Sequence, residues 1–236
     1  MPGHPSSDKT RNRILARLSG ADFALLEPYL KPVDLPLRKN LELPKRRIVN
    51  VYFIDSGFAS VVANGHGDRS IEVGLIGREG LTGLAVIMGT DRSPNATYMQ
   101  NAGAGREISV AKLGDAIRQS ETLRRTLLNY GHAFFIQTSQ TALANGRNKN
   151  EERLARWLCM AHDRGDSDEL VLTHQFISIM LGVQRPHVTV TLAVLEKAGL
   201  IEVKRGVISI LDRKGLEKRT RGAYGAPEAE FQRLFG

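Results

Sequence analysis

The chain is 236 residues long and 42% hydrophobic, enough for one large domain or two modest ones with their own cores, which excludes disorder throughout. Lys and Arg number 33 against 25 Asp and Glu, a formal charge of +8, so nucleic acid, an acidic membrane face or an acidic ligand suits it as a partner. The one cysteine, Cys159, lies in an apolar helical pattern; it excludes a disulfide framework or a cysteine-ligated zinc or iron–sulfur cluster within one chain, and reads as a small buried hydrophobe in a reducing cytoplasm.

The opening "MPGHPSSDKTRNR" is polar and lacks an apolar core, and no window approaches the roughly 20 apolar residues that cross a bilayer. A flexible arm and a soluble, cytoplasmic protein with no membrane partner are expected. "RNRILARLSGADFALLEPYLK" has helical spacing broken at Ser19-Gly20, where Ser19 can cap a second helix carrying Phe23, Leu25, Leu26 and Leu30. From Val33 to about Val110 the texture is rich in Val, Ile and aromatics, cut every eight or so residues by Gly, Asn, Asp or Pro. That rhythm predicts consecutive strands in a closed or rolled antiparallel sheet, with turns at Asp55-Ser56-Gly57 and Asn64-Gly65-His66-Gly67 and a corner at "GREGLTG".

The period then returns to helical. "AKLGDAIRQSETLRRTLLNYGHAFFIQTSQTALANGR" predicts a short helix and a long one, with Ser120 as the cap between them. Leu127, Phe134 and Thr141 recur every seven residues, and Leu128, Phe135 and Ala142 form the adjoining column. Either one column lies on the β-domain and the other on a second copy, or both are buried within one chain. For the first alternative the candidate dimer residues are Leu127, Leu128, Phe134, Phe135, Thr138 and Ala142. "NKNEERLARWLCMAHDRG" begins another helix, with Glu151 and Glu152 in its first turn and Leu154, Trp157, Leu158 and Ala161 on one face. The predicted division is residues 1–110 for helices and β-domain, 111–147 for the dimer helices and 148–236 for the carboxyl-terminal domain.

In that last part Thr173 can cap a short helix reaching Leu181, Gly182 supplies a tight turn, and a second helix from Gln184 carries Val188, Leu192 and Leu195 inward before stopping at Gly199. Two short helices joined by a glycine turn make a helix-turn-helix. "LIEVKRGVISIL" follows as a hairpin with a cationic tip, which completes a winged helix. The major groove, about 12 Å wide, admits one helix whose first residues meet the base edges. The candidate DNA contacts are therefore Thr173, Gln184, Arg185, His187, Thr189 and Thr191, with Arg185 suited to a bidentate pair with guanine and Lys204 and Arg205 suited to phosphates.

With these parts in order, the chain resembles the Crp/Fnr family of bacterial transcription regulators, most specifically in "EERLARWLCMAHDR", "ELVLTHQFISIMLGVQRPHVTVTLAVLEKAGLI" and "GREGLTGL". The resemblance implies an α+β fold: an N-terminal antiparallel β-roll of jelly-roll type, a long dimerisation helix and a C-terminal winged helix-turn-helix. It implies a homodimer reading a palindromic operator in double-stranded DNA, and it allows RNA polymerase as a further partner. Of the family's Arg-Glu-Arg reading triad only Arg185 carries over, since Pro186 and Val190 fall at the other two places.

The family's cyclic-nucleotide pocket falls on Gly83, Leu84, Asn95, Ala96 and Thr97, where the functional Glu and Arg are both missing. A phosphate would be desolvated there without a cationic partner, so cyclic AMP is not expected to control the chain through this pocket. Arg92 and Glu79 are the nearby charges and read as loop residues; His66 and His132 are the histidines available to a haem, and each reads as an ordinary turn or helix residue. No cofactor, metal site or catalytic residue is expected, and the effector is unknown. The alternatives are a cupin-like metalloenzyme on the β-roll, which would need several inward His or carboxylate ligands, and an adaptor that uses the winged helix to bind protein.

Overall fold

The computed structural model describes residues 10–65 and 70–236. His66, the end of its predicted turn and the polar opening up to residue 9 lie outside the described residues.

The described residues begin with a 3-10 turn, Leu15–Arg17, where a full helix was expected. A buried side chain holds the backbone here alongside the turn's own bonds, from the Ala16 amide to the Asn12 carbonyl and from the Arg17 amide to the Ile14 carbonyl. Asn12 Nδ2 donates to the Ile54 and Gly80 carbonyls (2.9 and 2.7 Å), while its Oδ1 accepts from the Ile14 and Leu15 amides. The first helix, α1 (Gly20–Leu26), starts as expected at Ser19, whose hydroxyl accepts from the Asp22 amide.

Seven strands follow: β1 (Lys31–Leu35), β2 (Asn40–Glu42), β3 (Asn50–Ile54), β4 (Phe58–Asn64), β5 (Ser70–Ile76), β6 (Ala96–Asn101) and β7 (Gly103–Ser109). They form two antiparallel sheets, ordered β1-β7-β3 and β2-β6-β4-β5. The polypeptide crosses between sheets at the Asp55–Gly57 turn, where Gly57 takes a φ of 69° that favours glycine. A short helix, α2 (Leu84–Ile87), interrupts the strands after the "GREGLTG" corner; only one turn long, it has too few residues to show a helical period in sequence.

Next come α3 (Val110–Gln119) and the 27-residue α4 (Glu121–Arg147), separated by Ser120, which caps α4 by accepting from the Leu123 amide. The carboxyl-terminal part runs α5 (Asn150–His162), β8 (Glu169–Val171), α6 (His174–Leu181), α7 (Arg185–Lys197), β9 (Ile201–Lys204), β10 (Val207–Ile210), α8 (Arg213–Arg219) and α9 (Ala226–Phe235). β8, β10 and β9 form a small antiparallel sheet in that order. The whole is α+β, with the rolled sheet, long helix and winged helix in the expected sequence.

Two packing features join these parts. Phe58 and Leu75 of the roll belong to the same apolar cluster as α5, α6, α7 and α8, and Trp157 stands edge-on to Phe58 with ring centroids 6.2 Å apart. Residues 226–235, expected with the carboxyl-terminal domain, pack instead on α4 and the amino-terminal core: Phe231 and Phe235 share a cluster with Ile14, Leu15, Leu26 and Leu127. Glu79, read from sequence as a loop charge, is a largely buried partner of Arg164 at 2.7 Å, so it ties the roll to the end of α5. The sequence pattern marks Glu79 only as a charge beside glycines; its partner is 85 positions away.

Candidate nucleic-acid interface

The helix-turn-helix is built by local signals that each do one thing. The Thr173 hydroxyl accepts from the Phe176 amide and starts α6. Gly182, at φ 61°, ends it, and a side chain there would press on Ile71 of β5. Gln184 precedes α7, and Pro186 sits in the first turn, where no helical N–H is lost. The axes of α6 and α7 meet at 96°. Val188, Leu192 and Leu195 are buried against the rest of the domain, which fixes the opposite face of α7 outward.

On that outward face Gln184, Arg185, His187 and Thr189 are exposed, as expected. Val190 is 65% exposed, an apolar side chain left in water on the same face, and Val194 one turn later is 36% exposed. Thr191 does not join them: it is 5% exposed and its hydroxyl donates to the His187 carbonyl at 2.7 Å. The reason is angular, since Thr191 lies three residues after Val188 and one before Leu192, both inward, and so falls on the buried side. Thr173 is exposed, but its hydroxyl oxygen is engaged as the α6 cap.

Arg185 is held by a residue the sequence did not single out. Its Nε donates to Gln175 Oε1 on α6 at 2.8 Å, and its Nη2 donates to the same oxygen. Gln175 is exposed and ten positions away, so only the fold brings the pair together. The contact spans the corner and steadies the guanidinium at the start of α7; Arg185 has no carboxylate partner among the described residues.

At the wing, Gly206 turns the hairpin at φ 77° and Arg205 is exposed at its tip. Lys204 is exposed too, yet its ammonium pairs with Glu202 at 2.9 Å, which raises its pKa and leaves Arg205 as the freer cation. The helix-turn-helix is moored to the long helix by Arg153 of α5. Its guanidinium donates to Asn145 Oδ1 (3.0 Å), to Asn150 Oδ1 (3.2 Å) and to the Leu181 carbonyl at the end of α6.

The two apolar columns of α4 part company. Leu127 and Phe134 are buried in their own chain, packed in separate clusters with Phe53 and Ile76 of the roll respectively, so they are not available to a second copy as expected. Leu128 and Phe135 are exposed, Phe135 to 62%, which excludes burial of both columns within one chain. With Ala142, also exposed, and half-buried Ser139, they run along one face at alternating spacings of three and four through His132. Leu143, 54% exposed beside them, was missed because it falls outside both seven-residue columns. Thr138 is half-buried, with its hydroxyl donating to the Phe134 carbonyl.

In the roll, Gly83 and Thr97 are brought together, but a carboxylate of the protein itself lies between them. Glu42 of β2 is 9% exposed; its Oε1 accepts from the Gly83 amide at 2.6 Å, and the Thr97 hydroxyl is its second donor. Burial pushes the Glu42 carboxyl above its ordinary range, with those two hydrogen bonds pulling the other way. Leu84 starts α2, while Asn95 and Ala96 are half-buried at the start of β6. Arg92 pairs with its neighbour Asp91 at the surface. His132 pairs with Glu230 of α9 at 2.9 Å. Burial raises the Cys159 thiol to about 12, which keeps it protonated and unreactive.

Among the described residues no three His, Cys, Asp or Glu side chains group as a metal site, and no single helix is long and apolar enough to cross a membrane.

The family model of the Crp-like helix-turn-helix domain matches residues 152–219. Among curated proteins none matches the sequence. Among solved structures, a chain assigned to the Crp/Fnr regulators from Eubacterium rectale is 19% identical with a TM-score of 0.70, over 87% of this chain and 96% of its own. FixK2 from Bradyrhizobium japonicum is 16% identical with a TM-score of 0.69, over 80% and 96%. A CRP-family transcriptional regulator from Thermus thermophilus is 17% identical with a TM-score of 0.68, over 83% and 99%. Residues 152–219 thus match a Crp-like helix-turn-helix domain, in a chain whose fold is similar to that of solved structures described as Crp/Fnr transcription regulators.

Proposed function

We propose that the chain is a sequence-specific, DNA-binding transcription regulator that acts in the cytoplasm as a homodimer on a palindromic operator in double-stranded DNA. The observation that carries this reading is the outward face of α7, where Gln184, Arg185, His187 and Thr189 stand exposed on a helix whose other side is fixed by the core, with the Arg205 tip beside it. Such a helix fits the major groove end-first, and a steadied guanidinium can form the paired hydrogen bonds that guanine O6 and N7 accept. Val190 offers methyl groups of the kind that pack on a thymine methyl. Arg205, and Lys204 once released from Glu202, supply the phosphate contacts that hold the helix in register.

A second copy joined along Leu128, Phe135 and Ala142 would present a second α7, and a symmetric pair of such helices reads half-sites about 34 Å apart, one turn of the duplex. RNA polymerase is a natural further partner of a regulator so placed. Cyclic AMP control through the roll is not part of this reading, because Glu42 already occupies the Gly83 and Thr97 donors with a negative charge that a phosphate would have to displace.

The test is fluorescence anisotropy on an operator selected from random duplexes, with a shuffled duplex beside it. Arg185→Ala is expected to lower the ratio of specific to nonspecific affinity by about tenfold or more. Arg205→Ala is expected to weaken both duplexes alike and to reduce the salt slope by about 1. Equal losses from both variants on both duplexes would refute the division of roles.

A further inference from the structure

A cavity of about 320 Å³ opens where four separate parts of the molecule meet: the segment before α1, the "GREGLTG" corner of the roll, α4 with the end of α5, and α9. Its size is at the small end of ligand pockets. One side is apolar, formed by Ala133, Phe134, Pro227 and the Phe231 ring. The other is charged, with Arg13, Arg78 and Arg164 facing Glu79, Asp163 and Glu228. Glu79 is matched by Arg164, and Asp163 by Arg213. Arg78 shares Asp166 with Arg11, so two guanidinium groups face one carboxylate there. Arg13 makes no ion pair among the described residues; its guanidinium carbon lies 4.6 Å from the centre of the Phe231 ring, over its face.

Two buried donors at the cavity also lack a hydrogen-bond partner. Arg78 Nε has none, and the Tyr130 hydroxyl stands near the Leu81 backbone without completing a hydrogen bond. Donors left unsatisfied beside a guanidinium that has no ion pair, against an aromatic wall, form a place suited to one hydrogen-bond-accepting group of negative charge.

We propose that this cavity is an effector site for a small aromatic monocarboxylic acid, its carboxylate taken by Arg13 and Arg78 and its ring laid among Phe134, Pro227 and Phe231. A single negative charge fits better than a phosphate dianion, because Glu79, Asp163 and Glu228 also line the space and would repel the second charge. An occupant would touch the roll, the long helix and the carboxyl-terminal helix at once. Its binding therefore bears on how the parts that carry α7 are held. That effect on DNA rests on the regulator reading; the binding itself does not.

The experiment is isothermal titration of the full chain with benzoate, phenylacetate and cinnamate up to low-millimolar concentration, with uncharged benzamide as the comparison. At least one acid is expected to saturate at one per chain, benzamide to bind far more weakly, and Arg13→Gln to weaken the acid by about tenfold. Ala133→Leu, which fills the space without altering a charge, is expected to abolish binding while circular dichroism shows an intact fold. No saturable binding by any of the three acids overturns the proposal, as does binding that survives both substitutions.

Anisotropy on the selected operator, with and without the bound acid, is the second arm. A severalfold change in affinity supports the effector role, and unchanged affinity at full occupancy overturns it. A chain that takes the acid yet shows no preference for any duplex would instead sink the regulator reading and leave the pocket standing.

Discussion

Glu72 is a carboxylate buried at the seam between the roll and α5. Its Oε2 accepts from Ser60 Oγ and its Oε1 from Trp157 Nε1, each at 2.6 Å. Burial lifts its pKa from 4.5 to about 7, against the two hydrogen bonds and the more distant Arg156 and Arg164. A raised carboxyl pKa means that the folded chain holds a proton the unfolded chain has released. The stability this gives is fully present below pH 4.5 and is lost as pH rises through about 7. The shift corresponds to roughly 3 kcal/mol at most, so urea melts of the native chain should weaken between pH 5 and 8. Glu72→Gln keeps an acceptor for the indole and cannot titrate, so its melts should show a shallower dependence over the same window. Parallel slopes for the two proteins would refute the assignment of this proton to Glu72. Nothing in the sequence marks Glu72 as buried, since in "RSIEVGLIG" it sits between apolar neighbours as an ordinary strand charge and its partners come from β4 and α5.

Elements were legible wherever a single period or cap decides them. Ser19, Ser120 and Thr173 each accept the amide that opens a helix, and Gly182 closes one, because capping needs only neighbours in sequence. The inward set of α7 followed from its spacing, while Thr191 was misplaced because a hydroxyl beside that set looks polar and yet returns its hydrogen to the helix backbone. The Gln175–Arg185 pair and the Glu42 plug were not legible, since each joins residues whose proximity only the folded chain creates. On α4 the seven-residue spacing defines two columns but not which of them faces out; the roll decides, covering Leu127 and Phe134 and leaving Leu128 and Phe135. On the proposed homodimer, Phe135→Lys should make the chain monomeric in sedimentation while leaving its melting temperature nearly unchanged. A variant that still sediments as a dimer would move the seam elsewhere.

Across the whole molecule, the core around residues 14–26 is closed by residues of α9, about 200 positions later. Phe231 and Phe235 stack with ring centroids 4.6 Å apart and lie among Ile14, Leu15 and Leu26. Phe235→Ala removes a side chain only 6% exposed and should cost about 3 to 4 kcal/mol in equilibrium unfolding. A loss under about 1 kcal/mol would show that α9 contributes little to that core.

The return of α9 also bears on synthesis. A ribosome releases residues 14–26 long before residues 226–235, so the amino-terminal half emerges with an apolar flank that nothing yet covers. Its final compaction waits until α9 has left the exit tunnel, and until then the nascent protein is exposed to holdase chaperones and proteases.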